Sequence, residues 1–434
     1  MMQELAKIGK LSLKNDFVTK SFSAVDPELL KKLNLPVPSM VDIGTYSTSY
    51  MNKVASEIFA YYAPINAISW FARAESEKIK EYCSKFFLDL TGGSITKNYQ
   101  YFTTSGSSEA IFLAVFLWKK HWQSMYGRKI EKLNLVIGSN AHAAWFKAAN
   151  YLDIDTQILP INEELLSMDL AKLSTLINDR TIGINCTLGA PTTLLFDQVQ
   201  KCNSILEEYY QNCKQFIPIH VDAASGGFIA PFVYNNLEWD FNLKHVLSIN
   251  LSSHKYGLVY PSLGWLLLDK QLYSEGLNHE NNYLGEPIKT FALHFSHSVA
   301  HLFTQYYYIQ EFGLDGYTAI ITGLFDLVNK MKCDLMQLEE IEIIAPAGSY
   351  NLPGILFKLN PLKTKLKMKE FSLALRAKGW KFPTYTLPYP LEKQEVGRVV
   401  MRYGFTEELI AVLGHDIKEC LATSKISLIK HKVI

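Results

Sequence analysis

Apolar residues follow two rhythms along this chain. From Asn52 to Tyr62 and from Ala74 to Leu90 they recur every three or four positions, as on amphipathic helices, and Gly92-Gly93 ends the second. Farther on, short runs with almost no polar alternation take over: Leu133 to Ile137, Thr181 to Cys186, Ile217 to Val221 and His245 to Asn250. Such runs mark strands buried on both faces. Helical patterns separate them, one from Ala143 and one from Gln198 to Asn212. The prediction is an α/β fold, a mostly parallel sheet covered by helices. Ser262 to Leu268 suits one more strand, of antiparallel sense.

A long helical stretch through Tyr306-Tyr307-Tyr308, continued from Tyr317 to Leu338, leads to a smaller α+β region. Its strands are expected at Gly354 to Lys358 and Val396 to Arg402, and its helices at Lys367 to Lys378 and Glu407 to Ala422. At the other end Pro27, Pro36 and Pro38 punctuate a segment of little periodicity, read as an extended arm with a short helix near Asp26 to Leu33. The expected organisation is an arm over residues 1–50, a large domain over 51–320 and a small domain over 321–434.

Composition narrows the classes. Of 434 residues, 48% are hydrophobic and 20% charged, and 43 basic residues against 42 acidic ones leave a net charge of +1, so no basic field favours nucleic acid or an anionic membrane. No stretch reaches the ~20 apolar residues of a membrane helix. The six cysteines contain no Cys-x-x-Cys pair, which argues against a zinc cluster or a disulfide framework. No metal is expected, and the cytoplasm is the default compartment.

The chemistry collects just past the apolar runs. Ser107 and Ser108 open a helix after Tyr101-Phe102-Thr103-Thr104-Ser105-Gly106; they suit either a plain cap or a phosphate held by helix N–H groups. His142, Thr187 and Asp222 each follow a strand, and Ser252, His254 and Lys255 follow the next. In a parallel sheet those ends share one rim, where such sheets bind ligands. A cofactor with a phosphate, a flat ring, a basic ring nitrogen and an aldehyde uses that whole set, and pyridoxal phosphate is that cofactor. Lys255 is its covalent anchor, Asp222 pairs with the ring nitrogen, Ser107, Ser108 and Ser252 cradle the phosphate, and His142 lies against the ring.

Three motifs, Thr104-Ser105-Gly106-Ser107-Ser108-Glu109-Ala110, His220-Val221-Asp222-Ala223-Ala224 and Ser252-Ser253-His254-Lys255, resemble those of the group II pyridoxal-phosphate-dependent amino-acid decarboxylases of fold type I. Tyr283-Leu284-Gly285 and the run from Phe295-Ser296 through Gln305-Tyr306-Tyr307 to Gly316-Tyr317 resemble the glutamate decarboxylase-like branch. The resemblance implies a homodimer with a shared active site acting on an amino acid as its small-molecule substrate. It also implies that Ala224 and His254 contact the cofactor and that Ser296 reaches the partner subunit's cofactor phosphate. Tyr283 would return a proton to the substrate carbon, with His254 as the other candidate. Arg402 would hold the substrate α-carboxylate, and Thr45 would stand near its side chain.

Two departures qualify the picture. Gly189-Ala190-Pro191 replaces the Gly-Thr-Thr common in the family, and the stretch expected to supply an acidic residue near the substrate reads Pro64-Ile65-Asn66-Ala67-Ile68-Ser69. Aromatic Tyr46, Tyr50, Tyr61, Tyr62 and Trp70 outnumber charges between residues 43 and 70, which leans toward an apolar or aromatic substrate side chain. The rivals are another fold type I lyase or aminotransferase, and a non-catalytic binding or regulatory relative.

Overall fold

The computed structural model describes residues 41–94, 98–127, 132–282, 285 and 287–430, with side chains as far as 422. Seven strands form the main sheet: β1 (Tyr99–Thr104), β2 (Asn134–Gly138), β3 (Asp155–Leu159), β4 (Thr181–Thr187), β5 (Ile219–Asp222), β6 (Val246–Ser252) and β7 (Gly264–Asp269), in the spatial order β1-β7-β6-β5-β4-β2-β3. β7 runs antiparallel to both of its neighbours, and the other pairs are parallel.

The uninterrupted apolar runs have the expected cause: alternate residues enter two different cores. Along β7, Trp265 and Leu267 join one core while Leu266 and Leu268 join the other. The first core includes Ala55 of α1 (Lys53–Tyr62) and Cys83 and Phe87 of α2 (Trp70–Leu90). The second includes Trp118 of α3 (Ser107–Tyr126) and Trp145 of α4 (Ala143–Tyr151). Burial on both faces leaves no solvated side to show as alternation. β3 has no apolar run because it is the edge strand and is only partly buried.

Helix α5 (Val199–Cys213) links β4 to β5, and a hairpin of β8 (His279–Asn281) and β9 (Ile288–Thr290) precedes α6 (Ala300–Met336). α6 is broken at Gly313, whose φ of 53° and ψ of −157° are not helical. A second sheet, antiparallel throughout, orders β10 (Ile341–Ile344), β11 (Gly354–Leu359), β12 (Thr384–Thr386) and β13 (Glu395–Val400) as β10-β11-β13-β12. Helices α7 (Met368–Ala377) and α8 (Glu407–Lys430) accompany it. Everything from Met40 onward belongs to one compact unit. Residues 1–40, including the helix expected near Asp26, lie outside the described residues. Residues 41–50 lie across the mouth of the main sheet, tied by Thr48: its N–H donates to the His254 carbonyl at 2.8 Å and its Oγ1 to the Lys255 carbonyl at 2.6 Å.

Candidate active site

The carboxyl ends of β1, β2, β4, β5 and β6 open on a cavity of about 200 Å³. Ser107, Ser108, His142, Thr187, Asp222, Ala224, Ser252, His254 and Lys255 all line it. β1 delivers the chain to α3 through Ser105-Gly106. Gly106 has φ +152°, and a Cβ there would stand 2.9 Å from His254 Cε1, so a side chain would be both strained and obstructed. The tight turn brings the start of a 20-residue helix to the cavity, and Ser107 Oγ lies 2.6 Å from Ser252 Oγ. Free helix N–H groups and two hydroxyls form an anion cradle.

Asp222 closes β5 and is 3% exposed. Its Oδ1 accepts from Asn250 Nδ2 at 2.9 Å and from the Ala224 N–H at 3.3 Å, and its Oδ2 accepts from Trp145 Nε1 at 3.2 Å. The same Asn250 nitrogen reaches Ser107 Oγ at 2.6 Å, and Asn250 Oδ1 meets His220 Nε2 at 2.6 Å. Burial holds His220 at about 4, so the ring is neutral, with Nε2–H donating to Asn250 and Nδ1 accepting from Ser248 Oγ at 2.8 Å. A chain of hydrogen bonds, buried at Asp222, Asn250 and His220 and part-buried at Ser107, therefore links the strand-end carboxylate to the start of α3. The sequence assigns no part in the site to Asn250, Trp145 or His220, although His220 opens one of the motifs. The available signal was weak: polar residues at the ends of otherwise apolar runs.

Lys255 follows β6 and is only partly exposed. Burial lowers its pKa, Asp222 opposes that and Arg398 adds to it. A lowered lysine pKa enlarges the neutral fraction able to attack a carbonyl. His142 caps α4 by accepting the Ala144 N–H at Nδ1 (3.1 Å), and burial lowers its pKa, so a neutral ring faces the cavity. His254 is pushed by burial to about 4, and its Nδ1 is 3.1 Å from the Leu263 carbonyl, to which it donates.

Thr187 is fixed from behind. Its N–H donates to Asp197 Oδ2 at 2.7 Å, while Asp197 Oδ1 accepts from Asn140 Nδ2 at 3.0 Å and from the Met168 N–H at 2.9 Å. Asp197 is 1% exposed, and burial raises its pKa to about 6.

Three expected residues do not line this cavity, and a fourth lies outside the described residues. Arg402 is 3% exposed and does not line the cavity: its Nη1 donates to the Ser47 carbonyl at 2.8 Å and its Nη2 to the Asp42 carbonyl at 2.7 Å. It buckles the segment 42–47 in place, and the arginine near the lysine is Arg398, four residues earlier on β13. Arg398 donates to the Gly44 carbonyl from Nε and Nη2 (3.1 and 3.0 Å) and to the Pro191 carbonyl from Nη1. Its guanidinium lies 4.6 Å from the ring centroid of Tyr46, and Lys255 Nζ lies 5.6 Å from the same centroid. Thr45 lines a neighbouring depression with Arg398, Arg376 and Lys381. Ser296 lines a third cavity, which meets the first at Ser105. Tyr283 lies outside the described residues. Of the five aromatic residues that leaned toward an apolar substrate, Tyr46 alone lines the cavity; Tyr50, Tyr61 and Trp70 are exposed, so that lean loses its basis within the chain.

Residues 46–360 match the family described as the pyridoxal-dependent decarboxylase conserved domain. Glutamate decarboxylase of Lactococcus lactis subsp. cremoris is 32% identical over 421 residues, covering 95% of this chain and 89% of the relative. Glutamate decarboxylase 5 of Arabidopsis thaliana is 37% identical over 310 residues, 70% of this chain and 62% of the relative. The solved glutamate decarboxylase of Lactobacillus brevis superposes with a TM-score of 0.85 at 30% identity, over 93% of each chain. Catharanthus roseus tryptophan decarboxylase, at 14% identity and a TM-score of 0.74 over 98% of this chain and 96% of that one, shares the fold.

Proposed function

The chain belongs to the pyridoxal-dependent decarboxylase family, in its glutamate decarboxylase-like branch, and is a pyridoxal-phosphate-dependent amino-acid decarboxylase; on that premise we propose which residues carry the reaction and that the substrate has an acidic side chain, glutamate first. The residues fit the cofactor: an anion cradle, a strand-end carboxylate and an amine of lowered pKa share one cavity, as a phosphate, a ring nitrogen and an aldehyde require. Pyridoxal phosphate supplies a ring that takes up the electron pair left when carbon dioxide departs.

The chain's residues do the rest. Lys255 would hold the cofactor through its amine. Asp222, oriented by Trp145, Asn250 and the Ala224 N–H, keeps one oxygen direction for the ring nitrogen. Ser107, Ser108 and Ser252 would hold the phosphate, and His142, Ala224 and Thr187 would contact the ring. Arg398 takes the role first assigned to Arg402, holding the substrate α-carboxylate. It lines the adjoining depression, its guanidinium shares the Tyr46 ring with Lys255, and its charge lowers the Lys255 pKa, none of which holds for Arg402, so it is the guanidinium near the reacting amine. This is the observation that carries the assignment. His254 is a poor proton donor at neutral pH, because its Nδ1–H is engaged and Nε2 protonates only near 4. Tyr283 is the better candidate for the returning proton.

The acidic substrate is supported by the glutamate decarboxylases that the chain resembles and by Thr45, Arg376 and Lys381 on the far side of Arg398. Two chains are proposed to share the site. The cavity of about 200 Å³ is small for a cofactor plus an amino acid, and α2 opens with Trp70 79% and Phe71 58% exposed, an apolar surface suited to a second copy. Ser296 would then serve the partner's phosphate. A cytoplasmic location is supported by six cysteines that are all free, and no described helix is long and apolar enough to cross a membrane. Carbon dioxide release from a panel of amino acids tests the substrate: glutamate should give the fastest turnover, and faster release from an aromatic or branched aliphatic amino acid would overturn it.

A further inference from the structure

Glu109 is part of the motif that opens α3, yet nothing in the reaction uses it. It points away from the cofactor cavity and is 9% exposed. Its Oε2 accepts the Ser105 N–H at 2.7 Å, on the turn that forms the phosphate cradle. Its Oε1 accepts the Leu293 N–H at 2.8 Å and the His294 N–H at 3.3 Å, 184 and 185 residues along the chain, and His294 Nδ1 lies 3.2 Å from both oxygens. The segment it grips continues to Ser296. Between the two gripped elements lies the third cavity, about 290 Å³, whose lining includes Ser105, His294, Ser296 and His297.

A glutamate in the first turn of a helix is commonly no more than a cap or a partner of the helix dipole. A cap needs one oxygen. Here the second oxygen is committed to a distant segment, and the carboxylate receives donors from both sides. Those donors, with His294 foremost, outweigh burial and hold it at about 2, so the clasp stays anionic throughout the working pH range.

We propose that Glu109 is a positioning residue that couples the phosphate turn Ser105–Ser108 of its own site to the segment Leu293–Ser296 that completes the partner subunit's site. The coupling rests on the proposed sharing of the site, in which Ser296 serves the partner's cofactor. When phosphate settles the turn at one site, the carboxylate settles the segment that serves the other. Binding at the two sites is then linked, and the linkage is reciprocal.

The test is titration of the cofactor-free dimer with pyridoxal phosphate, followed by the visible absorbance of the lysine-bound cofactor, with the dimer checked by sedimentation. The wild type should load cooperatively, with a Hill coefficient of about 1.5 or more out of a limit of about 2 for two sites. Glu109→Gln keeps the shape but has one acceptor oxygen, so it can grip the turn or the segment and not both; its Hill coefficient should fall to about 1 while the dimer persists. Glu109→Asp, too short to span the gap, should do the same and serves if the first variant does not assemble. Hyperbolic loading of the wild type, or undiminished cooperativity in either variant, overturns the coupling. Ser296→Ala separates the two ideas: unchanged cofactor affinity in that variant would remove the shared-site reading itself, whereas weakened affinity with no effect of Glu109 removes only the clasp.

Discussion

Asn250 Nδ2 lies 2.9 Å from Asp222 Oδ1, so the carboxylate expected to face the cofactor ring is aimed by the residue two positions before the phosphate serine Ser252. Asn250→Ala removes that donor, the donor to Ser107 and the acceptor for His220 together. A hydrogen bond to a charged group contributes about 1.5–3 kcal/mol, so cofactor affinity should fall by about 10- to 100-fold. Absorbance titration measures it. Affinity within twofold of wild type would mean that Trp145 and the Ala224 N–H suffice to orient Asp222.

Lys255→Ala should abolish both the visible absorbance of the bound cofactor and turnover. A spectrum and carbon dioxide release are the two measurements. Turnover surviving in that variant would remove Lys255 from the chemistry.

The two arginines make opposite predictions. Arg398→Lys should lower kcat/KM on the order of 100-fold with little change in melting temperature, because a lysine cannot reproduce a forked pair with a carboxylate. Arg402→Lys should lower the melting temperature by a few degrees, since a buried guanidinium that clasps two carbonyls is replaced by a group that reaches one at best. Steady-state kinetics and thermal unfolding on both variants decide it, and the reverse pattern would restore Arg402 to the substrate.

Asp197 gives a pH signature. Its pKa is raised by burial to about 6 from an ordinary 3.8, so the folded protein holds this proton more tightly than the unfolded chain. The stability it contributes is therefore complete below about 3.8 and is lost as pH rises through about 6, on the order of 3 kcal/mol in total. Urea unfolding from pH 4 to 7 should show that downward component. Asp197→Asn should remove it, and an identical slope in the variant would assign the titration to another group.

The sequence carried the main sheet because strands buried between two cores leave an unmistakable apolar run, and it carried Asp222 and Lys255 because they end such runs. It carried much less about the residues that hold them. Asn250 looked like the tail of a strand, and Trp145 like a core aromatic on a helix. Arg398 and Arg402 are separated by an even number of residues near one strand, so periodicity could not rank them. The choice depends on which backbone carbonyls lie within reach, and those belong to Asp42, Gly44, Ser47 and Pro191, far away in sequence. β3 and β12 escaped notice for a related reason: both are edge strands, and their partly exposed faces carry polar residues.

The buckle made by Arg402 on Asp42 and Ser47 spans 360 and 355 residues. A ribosome that has delivered the whole main sheet, with Lys255 and the phosphate turn already made, has not yet delivered that buckle. The segment that lays Tyr46 beside the lysine and bonds the backbone at His254 and Lys255 is thus clasped by a residue made well after the site it covers. A chain cut short before Arg402 keeps every residue that lines the cavity and the ties made by Thr48 and Arg398, and of these fastenings lacks only the clasp on Asp42 and Ser47.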